Sequence, residues 1–315
     1  MKNWLRKIGP LVGLIFVFAL FASLTPTNFA TTDNLQLMML QTAVVGTAAL
    51  GMTMVIISGG IDLSVGSVIA LSTVVIALLL NAGASPFLAA LGGVAVGMVC
   101  GSLIGSLITR VKLTPFIVTL GMWGALRGAA KGLADEQMIV PPTTWLNGLL
   151  NFVADERRWM LLPPGVWMML LLALVVGILL QYTRRGRHMV AVGSNELAAR
   201  VSGVPVEGVK MSVYMLGSGF AALAGVLQFS YLTVGDPTTA SGMELDIIAA
   251  VVIGGGSLAG GQGSVLGSLV GALIMTVVSN GCTKMEFPNW VQEIVAGSII
   301  VVAVALDRLR RRGSE

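Results

Sequence analysis

Few residues in this 315-residue chain are equipped for chemistry, and their spacing narrows the options further. The single histidine, His188, stands among Arg184, Arg185 and Arg187, with no second His or Cys at metal-ligand spacing. The two cysteines, Cys100 and Cys282, sit beside apolar stretches and form neither a disulfide framework nor a metal set. One histidine and scattered acids cannot make a nucleophile with its base, so an enzyme is not the expectation. Gly254-Gly255-Gly256-Ser257-Leu258-Ala259-Gly260-Gly261-Gln262-Gly263 has the composition of a phosphate-cradling loop, but no Gly-Lys-Ser/Thr ending occurs anywhere in the chain. It predicts a tight turn or re-entrant bend between two short helices. In Ser58-Gly59-Gly60-Ile61-Asp62-Leu63-Ser64-Val65-Gly66 a glycine pair and an acid interrupt an apolar stretch. Asp62 reads there as an N-cap that starts a new helix. A second reading stays open, a polar element beside a solute path, because carboxylates within a membrane face interiors or water. The candidates at these two breaks are Gly59, Gly60, Asp62, Ser64, Gly255, Gly256, Gly260 and Gly261. No series of buried acids or histidines suggests a proton relay, and no Arg-rich span suggests a voltage sensor. If the chain pumps, something else drives it.

The elements that must position these residues are apolar. Charged residues are 11% of the chain, against about 25% in a soluble domain, and hydrophobic residues are 55%. Such a composition cannot cover a water-facing surface, so a cytosolic protein and a disordered chain are both excluded. Net charge is +4, yet the basic residues sit in short clusters between apolar runs, which points to a membrane and not to nucleic acid. Runs of roughly the 20 residues that cross a bilayer fall at 8–24, 35–57, 63–81, 86–109, 115–132, 165–182, 211–230, 245–259, 263–280 and 290–306. The first is not expected to be a cleaved signal peptide, since Thr25-Pro26-Thr27-Asn28 lacks the small residues of a cleavage site. The expected fold is all-α: a polytopic membrane helical bundle of about ten transmembrane helices with two broken or re-entrant segments, forming one transmembrane domain over 1–315. With the N-terminus inside, Lys2, Arg6, Lys7, Arg110, Lys112, Arg184, Arg185, Arg187, Arg200, Lys210, Arg308, Arg310, Arg311 and Arg312 face the cytoplasm, 14 of the 19 basic residues. Acids such as Asp33, Asp135, Glu136, Asp155, Glu156, Asp236 and Glu244 fall in outside loops. Both termini are therefore expected inside.

Forty glycines lie largely within the spans. Gly97-x3-Gly101-x3-Gly105 and Gly267-x3-Gly271 place small residues along one helix face, suited to close helix packing or to lining a path. The longest inside loop, 183–210, predicts a short helix within 193–203. Ser194 or Asn195 caps it, Glu196 suits its first turn, and Gly203 with Pro205 ends it. Two turns are marginal alone in water. Leu197 and Val201 give only a thin apolar stripe beside Ala198 and Ala199, better suited to another protein's groove than to lipid.

Four stretches resemble a known family. They are Ala49-Leu50-Gly51-Met52-Thr53-Met54-Val55-Ile56 running into Gly59-Gly60-Ile61-Asp62-Leu63-Ser64-Val65-Gly66-Ser67; Thr114-Pro115-Phe116-Ile117-Val118-Thr119-Leu120-Gly121 with Arg127-Gly128; Gly186-Arg187 through Glu196, Ala198-Ala199-Arg200 and Ser202-Gly203-Val204; and Glu244-Leu245-Asp246-Ile247-Ile248-Ala249-Ala250-Val251-Val252-Ile253-Gly254-Gly255 with Ser257-Leu258-Ala259-Gly260-Gly261-Gln262-Gly263. In order and over nearly the whole chain they resemble permease subunits of bacterial ATP-binding-cassette importers, of the ribose/xylose/autoinducer-2 type. The resemblance implies a permease that moves a monosaccharide or related small polar solute across the bacterial inner membrane. It implies an ATPase partner that uses ATP and Mg, no cofactor on this chain, a periplasmic sugar-binding protein and a homodimer or paired permease. A Glu-Ala-Ala…Gly helix couples such permeases to the ATPase; the matching residues are Glu196, Ala198, Ala199 and Gly203, with Leu197 inserted, and Arg200 in the same helix. The outside segment of about 133–164 departs from the family in composition. Its Trp145, Asp155, Glu156, Arg157, Arg158 and Trp159 are expected to shape the surface that receives the binding protein. The rival expectation from the residues alone is a self-sufficient secondary transporter or channel, for which broken helices would supply the ion sites.

Overall fold

The computed structural model describes residues 2–25, 27–152 and 160–312, with side chains described between residues 9 and 305. Asp155, Glu156, Arg157, Arg158 and Trp159 lie outside the described residues, as do the side chains of Lys2, Arg6, Lys7, Arg308, Arg310, Arg311 and Arg312. Twelve α-helices are seen among the described residues: α1 (Lys2–Leu24), α2 (Thr32–Ile57), α3 (Val65–Asn81), α4 (Pro86–Thr109), α5 (Pro115–Leu133), α6 (Pro164–Tyr182), α7 (Arg184–Ser194), α8 (Glu196–Val201), α9 (Val206–Leu232), α10 (Met243–Ile253), α11 (Val265–Lys284) and α12 (Asn289–Arg312). Their starts are written locally. Thr31, Ser85 and Ser264 accept N–H bonds from Asn34, Leu88 and Gly267, and proline opens α4, α5 and α6.

α2, α4, α6, α9 and α11 are each long and apolar enough to cross a membrane. α2 and α9 form the centre. α2 is apolar all round and buried almost throughout its length, as a helix enclosed by other helices must be. α4, α6 and α12, by contrast, expose one side rich in large apolar residues, such as Phe87, Leu91, Val99, Leu171, Leu174 and Val301. That perimeter is suited to lipid.

The glycine ladder on α4 packs against a neighbouring helix. Any Cβ on Gly97, Gly101 or Gly105 would run into α9 at Ala222, Tyr214 and Met211. Gly267 and Gly271 press in the same way on the carbonyls of Gly254 and Ala250. Small residues here let backbones approach where lipid gives helices no hydrophobic drive to associate.

Alternate connections gather at opposite ends. At one end, which we term the basic end, the Gly261 N–H donates to the Ile57 carbonyl at 2.8 Å, and Lys112 lies close enough to influence Glu207. Arg110, Arg184, Arg185, Arg187 and Arg200 belong to the same connections. At the far end Ile139 and Gly235 exchange backbone bonds of 2.8 and 2.9 Å.

The run 245–259 does not form the expected helical span. α10 has 11 residues, about 16 Å at 1.5 Å per residue, or half of a bilayer core of about 30 Å. Gly235 lies against Thr73, Val74 and Ala77 of α3, and Ala240 lies against Gly66, the chain between them folded in turns. Asp236 and Glu244, expected in an outside loop, are instead buried, each 8% exposed. The run is cut short at its end, where Gly254-Gly255-Gly256 stops α10 after Ile253 and Gly255 takes a φ of 94°.

Candidate functional site

Non-helical backbone inside a bundle must find hydrogen bonds among side chains, and α3, α5 and α9 supply them around residues 236–240. Arg127 Nη1 donates to the carbonyls of Pro237 at 2.9 Å and Thr239 at 2.6 Å. Gln228 Nε2 donates to Thr239 Oγ1 at 2.8 Å, and the Asp236 N–H reaches Thr73 Oγ1 at 3.2 Å. Asp236 Oδ1 closes a local turn by accepting from Thr238 N–H and Oγ1. Trp123 Nε1 donates to Glu244 Oε1 at 3.1 Å, and Glu244 and Asp236 are the acids nearest the guanidinium. Arg127 stood in the sequence as one of two basic residues, with Lys131, in the run 115–132; that its partners are the backbone carbonyls of Pro237 and Thr239 was not visible.

At the basic end the two predicted breaks meet. A Cβ on Gly193 would collide with the Ile57 carbonyl; one on Gly260 would strike the Gly193 carbonyl and Gly59 Cα; one on Gly261 would strike Ser194. Gly59, Gly260 and Gly261 also hold φ of 79°, 87° and 75°, a region that L side chains rarely adopt. Three chain segments thus touch backbone to backbone: the end of α2, the end of α7 and the loop after α10. Gly60 packs beneath the Tyr214 ring of α9. Gly255 is not part of this contact: at φ 94° it serves a turn with open space beside it, and Gly256 folds back on Val251. Gly193 and Tyr214 went unnoticed in the sequence as members of the site.

Asp62 departs from its expected place. The helix cap position falls on Ser64, and Asp62 Oδ1 accepts from Ser64 N–H at 2.8 Å and from Ser64 Oγ at 2.6 Å. The carboxylate closes a turn two residues ahead of α3 and does not cap the helix's first N–H groups. It is 2% exposed.

The cytoplasmic-loop expectation falls on two helices. α7, which the run of arginines concealed, is capped by Thr183 through Gly186 N–H. α8 starts at Glu196 as expected, and Asn195 is its cap, accepting from Ala198 N–H at 2.9 Å. Gly203 ends it at φ 82°. Glu196 is half exposed and engaged within the chain: Lys210 Nζ stands 2.6 Å from one oxygen and Arg200 3.6 Å from the other. Arg200 also reaches Glu207 at 2.6 Å, and that hydrogen bond holds the Glu207 carboxyl below the usual carboxylate range. These pairs tie α8 to the first turns of α9. Ala199 is buried beneath the helix; Leu197 at 76% and Val201 at 90% exposure are left bare, one turn apart on its outer side.

Among the described residues no cluster of three or more His, Cys, Asp or Glu could hold a metal ion. By class, the described residues form an all-helical bundle with five helices long and apolar enough to cross a membrane. The chain belongs to the family described as branched-chain amino acid transport system / permease component, whose profile matches residues 34–304. It is similar to the ribose import permease protein of Escherichia coli strain K12, 36% identical over 310 residues, covering 98% of this chain and 96% of that protein. The ribose import permease protein of Bacillus subtilis strain 168 is 38% identical over 305 residues, covering 96% and 93%. The L-arabinose ABC transporter permease protein of Azospirillum brasilense is 36% identical over 309 residues, covering 95% and 88%. No solved structure matches.

Proposed function

We propose that this chain is the membrane-spanning subunit of an importer that carries a monosaccharide across the bacterial inner membrane, driven by ATP hydrolysed in a separate subunit. The reading takes the basic end as cytoplasmic, with both termini there and ten crossings, the eighth only partly helical. Its partners are an ATP-binding-cassette ATPase, a periplasmic sugar-binding protein and a second permease; ATP and Mg belong to the ATPase. The observation that carries it is α8, a short rigid helix that bares Leu197 and Val201 beside the junction of Gly59, Gly193, Gly260 and Gly261. Closure of an ATPase pair would press on α8. α7 would pass the movement to the end of α2 and to the loop after α10, because glycine contacts leave no side chain between them to absorb it. Glu196, Ala198, Ala199, Arg200 and Gly203 hold this device in shape; Leu197 and Val201 meet the partner.

Reconstitution in proteoliposomes with the ATPase and binding protein tests the reading through uptake of labelled D-ribose and L-arabinose. Uptake that requires ATP is expected, and uptake that continues without it would overturn the proposal. A secondary transporter is the second reading, favoured by the discontinuous eighth crossing. Solute flux driven by a sodium or proton gradient through the purified chain alone would select it.

A further inference from the structure

Beside the start of α10, the helices α2, α9, α10 and α11 line a half-open cavity of about 180 Å³. Its walls are divided in character. Val44, Val45, Met243 and Met275 are apolar, while Gln41 of α2, Gln228 and Tyr231 of α9, Asp246 of α10, and Thr276 and Ser279 of α11 are polar.

Among the described residues the side chains of Gln41, Tyr231, Asp246 and Thr276 have no hydrogen-bond partner, whereas Gln228 has one. The side-chain hydroxyls of Thr42, Thr47, Thr53, Thr109 and Thr283 each donate to the carbonyl four residues back. Thr276, only 4% exposed, has its Oγ1 buried with no hydrogen bond. Asp236 and Glu244 accept from side chains, and the Gln228 amide is committed to Thr239. The side chains of Asp246, Gln41 and Tyr231 make no hydrogen bond or ion pair with the described residues. A buried hydroxyl left without a partner costs free energy, and a carboxylate at membrane depth is costly unless it serves a path. Thr276, buried, and Gln41, Tyr231 and Asp246, half-buried, converge on this one space.

We propose that this cavity binds a neutral polyhydroxylated solute on its way across the membrane, and that Asp246, Gln41, Tyr231 and Thr276 take its hydroxyl groups. Each hydroxyl both donates and accepts. Asp246 offers acceptors only, Gln41 offers both kinds, and Tyr231 and Thr276 exchange roles as the solute turns. Val44, Val45, Met243 and Met275 carry the C–H faces of the ring. A branched-chain amino acid fits poorly, since no basic side chain lines the cavity to meet its carboxylate. Placed beside the start of α10, the site lies where movement of that helix would open or close it. The inference rests on the importer reading and names the solute contacts that reading leaves open.

The test is uptake of labelled D-ribose, L-arabinose and L-leucine by the assembled importer in proteoliposomes, for the natural chain, Asp246→Asn, Gln41→Ala and Thr276→Val. For Asp246→Asn we expect sugar carried per ATP hydrolysed to fall at least tenfold. Gln41→Ala should shift the ratio of ribose to arabinose uptake more than threefold. Thr276→Val is the structural control: removal of an unpartnered hydroxyl leaves thermal stability equal or higher, while sugar carried per ATP falls. Unchanged coupling in both Asp246→Asn and Thr276→Val, or uptake of leucine in place of sugar, would overturn the assignment. Absence of ATP-dependent uptake by the natural chain would instead overturn the importer reading, and the cavity assignment with it.

Discussion

Two charges, half-buried Arg127 and buried Asp62, separate structural work from transport. Arg127 has both of its hydrogen bonds on carbonyls of the turn segment ahead of α10, so its loss frees two acceptors inside the bundle. For Arg127→Met we expect destabilisation of about 2–4 kcal/mol, from two charge-assisted bonds partly offset by relief of a desolvated cation. Thermal unfolding in detergent measures it, and an unchanged midpoint would mean that other groups hold residues 235–240. Asp62 permits a sharper comparison. Asp62→Asn keeps an oxygen for the Ser64 N–H and hydroxyl, whereas Asp62→Ala loses both bonds. If the residue is only a turn former, Asn should leave uptake and stability near those of the natural chain, with Ala costing about 1–2 kcal/mol. Uptake lost in Asp62→Asn at full stability would place the carboxylate beside the solute path.

At the level of elements, the glycine junction and α8 should fail in different ways. Gly193→Ala drives a methyl group into the Ile57 carbonyl, a contact with backbone that cannot move aside as a side chain can. Overpacking of this kind costs about 1–3 kcal/mol, and it should lower both thermal stability and ATP-coupled uptake. Val201→Asp alters only a 90% exposed position. Stability should hold while the ATPase no longer co-purifies with the permease; retained co-purification would put the docking surface elsewhere. Glu196→Lys sets a third cation beside Lys210 and Arg200, so it should loosen α8 from α9 and reduce uptake without preventing membrane insertion. The sequence made the helices legible where the code is local: nine of the apolar runs each coincide closely with a helix, and the Asn195 cap and Gly203 stop of α8 were readable from residue type. What it concealed depends on partners distant in the chain. No local pattern says that Arg127 serves Pro237 and Thr239, that Gly193 meets Ile57, or that Gln41, Tyr231, Asp246 and Thr276 share one cavity. Asp246 alone left a trace, as an acid inside an apolar run. The run 245–259 was misread because hydropathy counts apolar residues without asking whether Gly254-Gly255-Gly256 lets a helix continue.

At the scale of the whole molecule, the strongest commitment is which end faces the cytoplasm, because the coupling surface and the cavity exchange roles if the bundle is inverted. The loops at the basic end carry Arg110, Lys112, Arg184, Arg185 and Arg187, and loops rich in Lys and Arg stay inside. The same end presents α8, so charge and coupling give one orientation. Cysteine labelling decides the matter. The two natural cysteines are both buried, so a Cys100→Ser, Cys282→Ser background removes little from the surface. Ser202, exposed just after α8, and Asn81, exposed at the end of α3, lie at opposite ends of the bundle. With a membrane-impermeant maleimide, Asn81→Cys should label in intact spheroplasts and Ser202→Cys only in inside-out vesicles. The reverse pattern would place α8 in the periplasm, beyond the reach of any ATPase, and would remove the mechanical link on which ATP-driven transport by this chain depends.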